Sequence, residues 1–183
     1  ARKKLELIEC VPHLYKFKLY PWQHEFINTW EKVMLLNAGN QLGKSVSQIT
    51  KCYKLMTEPE LWPKLFPEKA HDSTWRPTIW YLYPDYGTAT HEFKEKWEKE
   101  VLAKGDYKTV GKYSWQERID RDVIKHITAL ETGVTVYFKA YSQSATDIQA
   151  GSCDAVFCDE ELVESRMSEV MARLFGSNGY FSM

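Results

Sequence analysis

The chain has 183 residues, of which 44% are hydrophobic and 27% charged, and this composition excludes wholesale disorder and collagen-like or mucin-like proteins. Its length predicts a single domain over residues 1–183 that needs neither disulfides nor a structural metal to fold. The net charge of −1 gives no overall basic signal for nucleic acid, so any DNA contact must involve a local patch or the lumen of a ring.

No apolar run in the sequence is long enough to span a bilayer, and acidic residues among the first nine argue against a secretory signal. We therefore expect an intracellular protein without membrane contact. The cysteines show neither metal-ligand nor redox spacing, which predicts buried thiols in a reducing compartment. They are Cys10, Cys52, Cys153 and Cys158.

Helix and strand patterns alternate along the first half of the chain. Pro21 suits a first helical turn, and apolar residues at helical spacing follow it. The apolar run 33–36 predicts a short buried parallel strand, and a helix is predicted from Lys44 to about Met56. Four prolines and several aromatic residues within 57–77 predict an ordered connection that is pinned by its aromatic side chains.

The second half of the chain continues this alternation. Its predicted elements are strand 78–83, a helix from about 88 to 102, a hairpin of strands 123–127 and 134–138, strand 155–158, and a helix that stops at Gly176. In the first of these helices, Glu92 with Lys96 and Glu95 with Lys99 have the spacing of ion pairs. Strands separated by helices predict an α/β fold with a mostly parallel central sheet flanked by helices.

A phosphate-binding pattern lies between the first predicted strand and the next helix. It reads Ala38-Gly39-Asn40-Gln41-Leu42-Gly43-Lys44-Ser45. Backbone N–H groups of such a loop and the helix N-terminus surround a phosphate chain, while Lys44 reaches its outer oxygens and the Ser45 hydroxyl can hold Mg²⁺. The pattern departs from the usual P-loop at Ala38, which stands where the first glycine is expected. We interpret residues 39–45 as nucleotide-binding, the alternative being a structural turn.

A second chemical signal follows the apolar strand 155–158, which ends in Asp159-Glu160-Glu161. A carboxylate at the end of a strand beside a P-loop can hold Mg²⁺, and we assign this role to Asp159. The next carboxylate can orient and polarise the attacking water, which makes Glu160 the predicted catalytic residue. Glu161 competes with Glu160 for that role, and an ordinary acidic helix start is the alternative interpretation.

A third, weaker signal precedes the P-loop and reads Tyr20-Pro21-Trp22-Gln23. A glutamine amide can donate to and accept from the edge of adenine at once, and an aromatic ring can stack on its face. We therefore predict that Tyr20 and Gln23 contact the base. The alternative is a helix cap with aromatic residues in the core.

In this order, the three signals resemble the ATPase part of large terminase subunits, the DNA-packaging motors of tailed double-stranded DNA bacteriophages. Strand 78–83 with Pro84-Asp85 is similar to the second strand of that family, and residues 142–151 are similar to its segment before the acidic strand. The resemblance implies a P-loop NTPase of the additional-strand (ASCE) type that uses ATP and Mg²⁺.

The family also implies a set of partners. These are double-stranded viral DNA, a portal protein, a terminase small subunit, and further copies of the chain in a ring that is usually a pentamer, with a monomer in isolation as the alternative. Such a motor works in the cytoplasm of the infected host cell, at the portal of the procapsid. In the family a nuclease domain of RNase H-like fold follows the ATPase, so we expect residues 1–183 to be an N-terminal fragment and nuclease activity to belong to that further domain.

Many members of the family carry an arginine inside the P-loop, where this chain has Asn40 and Gln41. A neighbouring subunit can supply such an arginine to the transition state instead. The candidates are Arg118, Arg121, Arg166 and Arg173. We therefore expect the isolated chain to hydrolyse ATP poorly.

Two other functions are compatible with the same motifs. A helicase-like DNA-translocating ATPase shares the glutamine, the P-loop and the acidic strand end, although helicases generally use two tandem motor domains. A regulatory or structural module could bind the nucleotide without hydrolysing it.

Overall fold

The computed structural model describes residues 10–12, 19–39, 42–142 and 151–183. These residues form an α/β fold in which helices flank a seven-stranded sheet. The strands are β1 (Val33–Met34), β2 (Thr78–Tyr83), β3 (Trp115–Asp120), β4 (Val123–Ala129), β5 (Thr135–Ala140), β6 (Ala155–Cys158) and β7 (Tyr180–Ser182).

The helices lie between these strands in sequence. They are α1 (Pro21–Asn28), α2 (Lys44–Thr57), a 3₁₀ turn (Pro59–Leu61), α3 (Trp62–Leu65), α4 (Tyr86–Glu92) with a π-helical continuation (Phe93–Val101), α5 (Asp106–Thr109) and α6 (Glu164–Phe175). The predicted helix at 88–102 thus begins two residues earlier and changes to π geometry at Phe93.

The sheet is mixed, which corrects the prediction of a mostly parallel sheet in part. Its strand order is β1-β7-β6-β2-β5-β4-β3. The first five strands of this order are parallel to one another, whereas β4 and β3 are antiparallel to their neighbours. The reason lies in the connections, because the two-residue turn Arg121-Asp122 and the short turn before Thr135 can only join antiparallel strands.

Two strands differ from the sequence-based expectations. Strand β3 was not predicted, and its charged residues alternate weakly while its outer half is exposed. The strand at 33–36 is real but shorter, and it is an edge strand rather than a buried one, with Val33 52% exposed. It pairs only with β7, so one side of β1 has no strand to cover it among the described residues.

The central strands are apolar on both sides because each face of the sheet carries its own core. Tyr81 and Phe157 pack on one face with α2 and the π-helical segment, and Leu82 and Val156 on the other with α6. The connection at 57–77 is ordered as predicted, since Trp75 contacts the ring of Trp62 edge-on. These layers fix the ends of β6 and the start of α2 relative to each other.

Two smaller findings concern the cysteines and the helices among the described residues. The four cysteines are free thiols, three of them buried and Cys10 half-buried. None of the described helices has the length and apolar character needed to cross a membrane.

Candidate functional site

A cavity of about 890 Å³ opens at the carboxyl ends of the parallel strands β1, β6 and β7. This edge is where ligands generally bind in open α/β sheets. Five parts of the chain line it: the start of α2 (Gly43, Lys44, Ser45), the residues after β6 (Asp159, Glu160, Glu161), one side of the helix that begins at Tyr86 (Thr88, Glu92, Lys96), the residues after β1 (35–37) and Met183 after β7. The structure therefore brings the predicted phosphate-binding and acidic residues into one cavity.

The loop that enters α2 depends on Gly43. Its φ of 82° lies in the left-handed region, and a Cβ atom there would lie 2.8 Å from Nε2 of Gln23. Glycine alone avoids both the strain and the contact. The turn sends Lys44 and Ser45 into the first turn of a 14-residue helix whose N-terminus faces the cavity, an arrangement that favours anions.

Other predicted loop residues are placed differently. Gly39 and Leu42 are described but do not line the cavity, and Leu42 is 43% exposed. Asn40 and Gln41 lie outside the described residues, as does most of segment 142–151. Their predicted roles stay predictions.

The Ser45 hydroxyl and the Asp159 carboxylate meet inside the cavity. Ser45 donates to Oδ2 of Asp159 at 3.4 Å, and the buried Tyr81 hydroxyl donates to Oδ1 at 3.3 Å. Lys96 Nζ donates to Ser45 Oγ at 3.1 Å. Burial raises the pKa of Asp159 above its ordinary value, although Lys96 and the two hydroxyl donors act in the opposite direction.

The oxygen atoms of Ser45 and Asp159 are of the kind that Mg²⁺ prefers as ligands. A hydroxyl oxygen and a carboxylate oxygen are hard ligands, and Mg²⁺ typically takes only one or two such groups from the protein while phosphate oxygens and waters complete its shell. In the part of the chain that the structure describes, no group of three or more His, Cys, Asp or Glu side chains could hold a metal by itself. A metal at Ser45 and Asp159 would therefore take its remaining ligands from phosphate oxygens or from waters.

Glu160 and Glu161 both line the cavity, and both are exposed. Glu160 is close enough to Tyr141 to contribute, after burial, to raising the pKa of that phenol. The geometry is compatible with either carboxylate facing a bound phosphate, so the assignment of the water-orienting role to Glu160 stays a prediction.

Gln23 lies behind the loop and does not line the cavity. Its Oε1 accepts from the Tyr20 backbone at 2.9 Å, and its Nε2 donates to Ser47 Oγ at 3.0 Å and to the Gly43 carbonyl at 3.5 Å. Tyr20 is 58% exposed. In the structure the Gln23 amide thus connects α1 to the turn before α2 and to the first part of α2, while its predicted contact with adenine stays a prediction.

The four candidate arginines lie away from the cavity. Arg118 is on β3 and Arg121 lies in the β3–β4 turn with a φ of 48°. Arg166 pairs with Glu169 at 3.1 Å within α6, and Arg173 lies near the end of the same helix. None of them lines the cavity, so a role for one of them in a neighbouring subunit stays a prediction.

Lys96, Glu92 and Tyr81 also belong to the site, although no sequence pattern predicted them there. The ion pair of Glu92 with Lys96 was predicted and is present. The same spacing is typical of ion pairs on the exposed surface of a helix, so it does not indicate a functional site. Tyr81 was predicted only as part of a strand. Their place in the site comes from the way helix 86–101 and β2 pack against α2 and β6, for which the sequence carries no local signal.

Comparison with protein-family models, with curated proteins and with solved structures finds no match to this chain.

Proposed function

We propose that this chain is the Mg²⁺-dependent, ATP-hydrolysing motor domain of a terminase large subunit, a P-loop NTPase of the additional-strand type. One observation carries the proposal: Lys44, Ser45, Asp159 and Glu160 line a single cavity although the two halves of the set are distant in sequence. If the P-loop pattern and the acidic strand end were unrelated, they would have no reason to line the same cavity. Their convergence therefore supports the proposal.

In this proposal the residues divide the work of phosphoryl transfer to water. The N-terminus of α2 and Lys44 bind the phosphate chain and neutralise its charge. Ser45 and Asp159 would hold Mg²⁺, which would neutralise charge on the phosphate oxygens when bound. Glu160 orients a water molecule in line with the outer phosphate and accepts its proton.

The motor role is proposed from the resemblance of motifs and of their order. It assigns the chain to translocation of double-stranded DNA into a procapsid, as a ring of copies that work with a portal protein and a terminase small subunit. The positions of Arg118 and Arg121, on an edge hairpin outside the cavity, are compatible with contact to a neighbouring copy in such a ring.

Nucleotide binding tests the first part of the proposal. A fluorescent ATP analogue with Mg²⁺ should bind the wild type, and Lys44→Met should weaken binding by roughly tenfold or more, the cost of one charge-assisted contact. Lys54→Met is the matched control, because Lys54 lies at the other end of α2 and pairs with Glu58. Equal binding to all three proteins would exclude the P-loop assignment.

Hydrolysis tests the second part. Phosphate release should fall by roughly 10²–10⁴-fold in Glu160→Gln, the usual contribution of a positioned general base, while Glu161→Gln retains activity. The reverse result would assign the role to Glu161. No release by the wild type, even with portal protein and DNA present, would favour a module that binds nucleotide without turnover. Strand separation of a duplex, rather than movement along it, would favour a helicase-like enzyme.

A further inference from the structure

Lys96 places a cation at the wall of the cavity. It lies in the π-helical segment that continues α4, and its Nζ donates to Ser45 Oγ at 3.1 Å. The same ammonium forms an ion pair with Glu92 one turn earlier. Lys96 is thus held between a carboxylate on its own helix and the hydroxyl at the start of α2.

Ser45 connects Lys96 to Asp159 through two hydrogen bonds. Its hydroxyl accepts from Lys96 and donates to the Asp159 carboxylate, so an ammonium, a hydroxyl and a carboxylate follow one another in a short chain. Lys96 is also the charge that most strongly favours the ionised form of Asp159, against the effect of burial. A buried carboxylate without a compensating charge would be costly.

We propose that Lys96 is the resident cation of the metal site. Its ammonium contacts the Ser45 hydroxyl and thereby holds Ser45 and Asp159 in position, and a divalent ion would displace it because both cations use the Ser45 hydroxyl oxygen beside the Asp159 carboxylate. Lys96 is therefore a positioning residue. The inference rests on the proposed function for the identity of the ion, but its chemistry concerns only these side chains.

Electrostatics gives the reason for the displacement. A divalent ion at Ser45 and Asp159 would lie within a few ångströms of Nζ, and like charges at that distance repel strongly in a partly buried site. Glu92 stays beside the ammonium, so the displaced cation remains paired. The side chain of Lys96 is also 33% exposed, which leaves space toward solvent for it to move.

Binding of Mn²⁺ alone tests the proposal, with the free ion measured by electron paramagnetic resonance and no nucleotide present. Without the competing ammonium, Lys96→Met should bind Mn²⁺ about tenfold more tightly than the wild type, a modest fraction of the charge repulsion at this distance. Lys96→Arg keeps the charge and should resemble the wild type. Lys99→Met is the matched control, because Lys99 pairs with Glu95 on the exposed side of the same segment.

A measurement on the wild type covers the case in which Lys96→Met does not fold. Acetylation of each lysine is followed by mass spectrometry with and without Mn²⁺. Displacement from Ser45 should raise the reactivity of Lys96 several-fold and leave that of Lys99 unchanged. Unchanged Mn²⁺ affinity in a folded Lys96→Met variant, unchanged Lys96 reactivity, or no Mn²⁺ binding by any variant would each overturn the proposal. Loss of ATP hydrolysis alone would not, since neither measurement uses nucleotide.

Discussion

The hydroxyl of Ser45 lies 3.4 Å from the carboxylate of Asp159, although 114 positions separate the two residues in the chain. The pair joins the start of α2 to the end of β6, the two places where the sequence motifs are found. It requires the correct neighbours in the sheet, because β7 and β2 flank β6 and bring its carboxyl end beside the loop. The contact is therefore a sensitive indicator of whether the site is assembled.

Replacing Asp159 should change the stability of the fold and the affinity for nucleotide in opposite directions. Burial disfavours its carboxylate, so Asp159→Asn, which keeps the shape and can still accept from Tyr81, should stabilise the ligand-free fold by about 0.5–2 kcal/mol. The same change should weaken Mg²⁺-dependent nucleotide binding. Chemical denaturation and titration of a fluorescent nucleotide measure the two effects.

Asp154→Asn is a contrasting control for that experiment. Asp154 accepts from Lys69 and from the backbone of Thr78, far from the cavity, so its replacement should destabilise the fold and leave nucleotide affinity unchanged. A destabilised Asp159→Asn would show that the carboxylate supports the ligand-free fold.

Gly43→Ala should destabilise the protein more than Gly111→Ala does. Both glycines have positive φ, 82° and 90°, so both substitutions pay for backbone strain. Only at position 43 would the new Cβ meet a side-chain atom, whereas nothing lies within 4 Å at position 111. The difference, which we expect to be about 1–2 kcal/mol, measures the contact with Gln23.

Urea denaturation of the two glycine variants measures that difference, and nucleotide binding should be impaired in Gly43→Ala alone. Equal destabilisation of both would mean that the loop moves aside at no cost. In that case Gln23 would not hold the loop in position.

Gln23→Ala should act through the loop. The substitution removes hydrogen bonds to Tyr20, Gly43 and Ser47, and we expect a loss of about 1–3 kcal/mol of stability. Because the amide reaches the loop from behind the cavity, affinity for ATP and for GTP should fall by the same factor. A selective loss of ATP affinity would instead support the predicted contact of Gln23 with adenine.

Lys51 should make stability depend on pH above neutrality. Its ammonium is buried against the ring faces of Phe26 and Trp30 and donates to the carbonyls of Phe26 and Thr29. Burial lowers the pKa of Lys51 from 10.5 to about 7, and the nearby charges of Lys54 and Lys64 contribute in the same direction. Between these two values the unfolded chain binds more protons than the folded one.

The free energy of unfolding should therefore rise from about pH 7 to pH 10.5 in the wild type, by about 2–4 kcal/mol relative to Lys51→Met. Below pH 7 both states carry the proton, and the difference between the two proteins should be constant. The side chain of Lys99 is 58% exposed, so Lys99→Met should keep the wild-type profile. If the free energy of unfolding of Lys51→Met changed with pH in parallel with that of the wild type, the prediction would be wrong. The carbonyls and rings would then stabilise the ammonium as well as water does.

Local patterns in the sequence predicted much of the fold. Strands β2 and β6 appear at the predicted residues, because continuous apolar runs between turn signals are typical of strands buried on both faces. Helix α2 begins at the predicted Lys44, since Gly43 permits the turn before it. Strand β3 was missed because its charged, half-exposed residues carry no such pattern.

The residues of the candidate site could likewise be predicted only in part. The glycine-rich loop before a helix and the carboxylates after a strand are local patterns, so these two groups of cavity residues could be found from the sequence. The other side chains that join them are set by how the helices and strands pack. Lys96 reaches Ser45, and Gln23 turns its amide to the back of the loop, because helices that pack on a shared sheet bring together residues whose separation along the chain carries no information about distance.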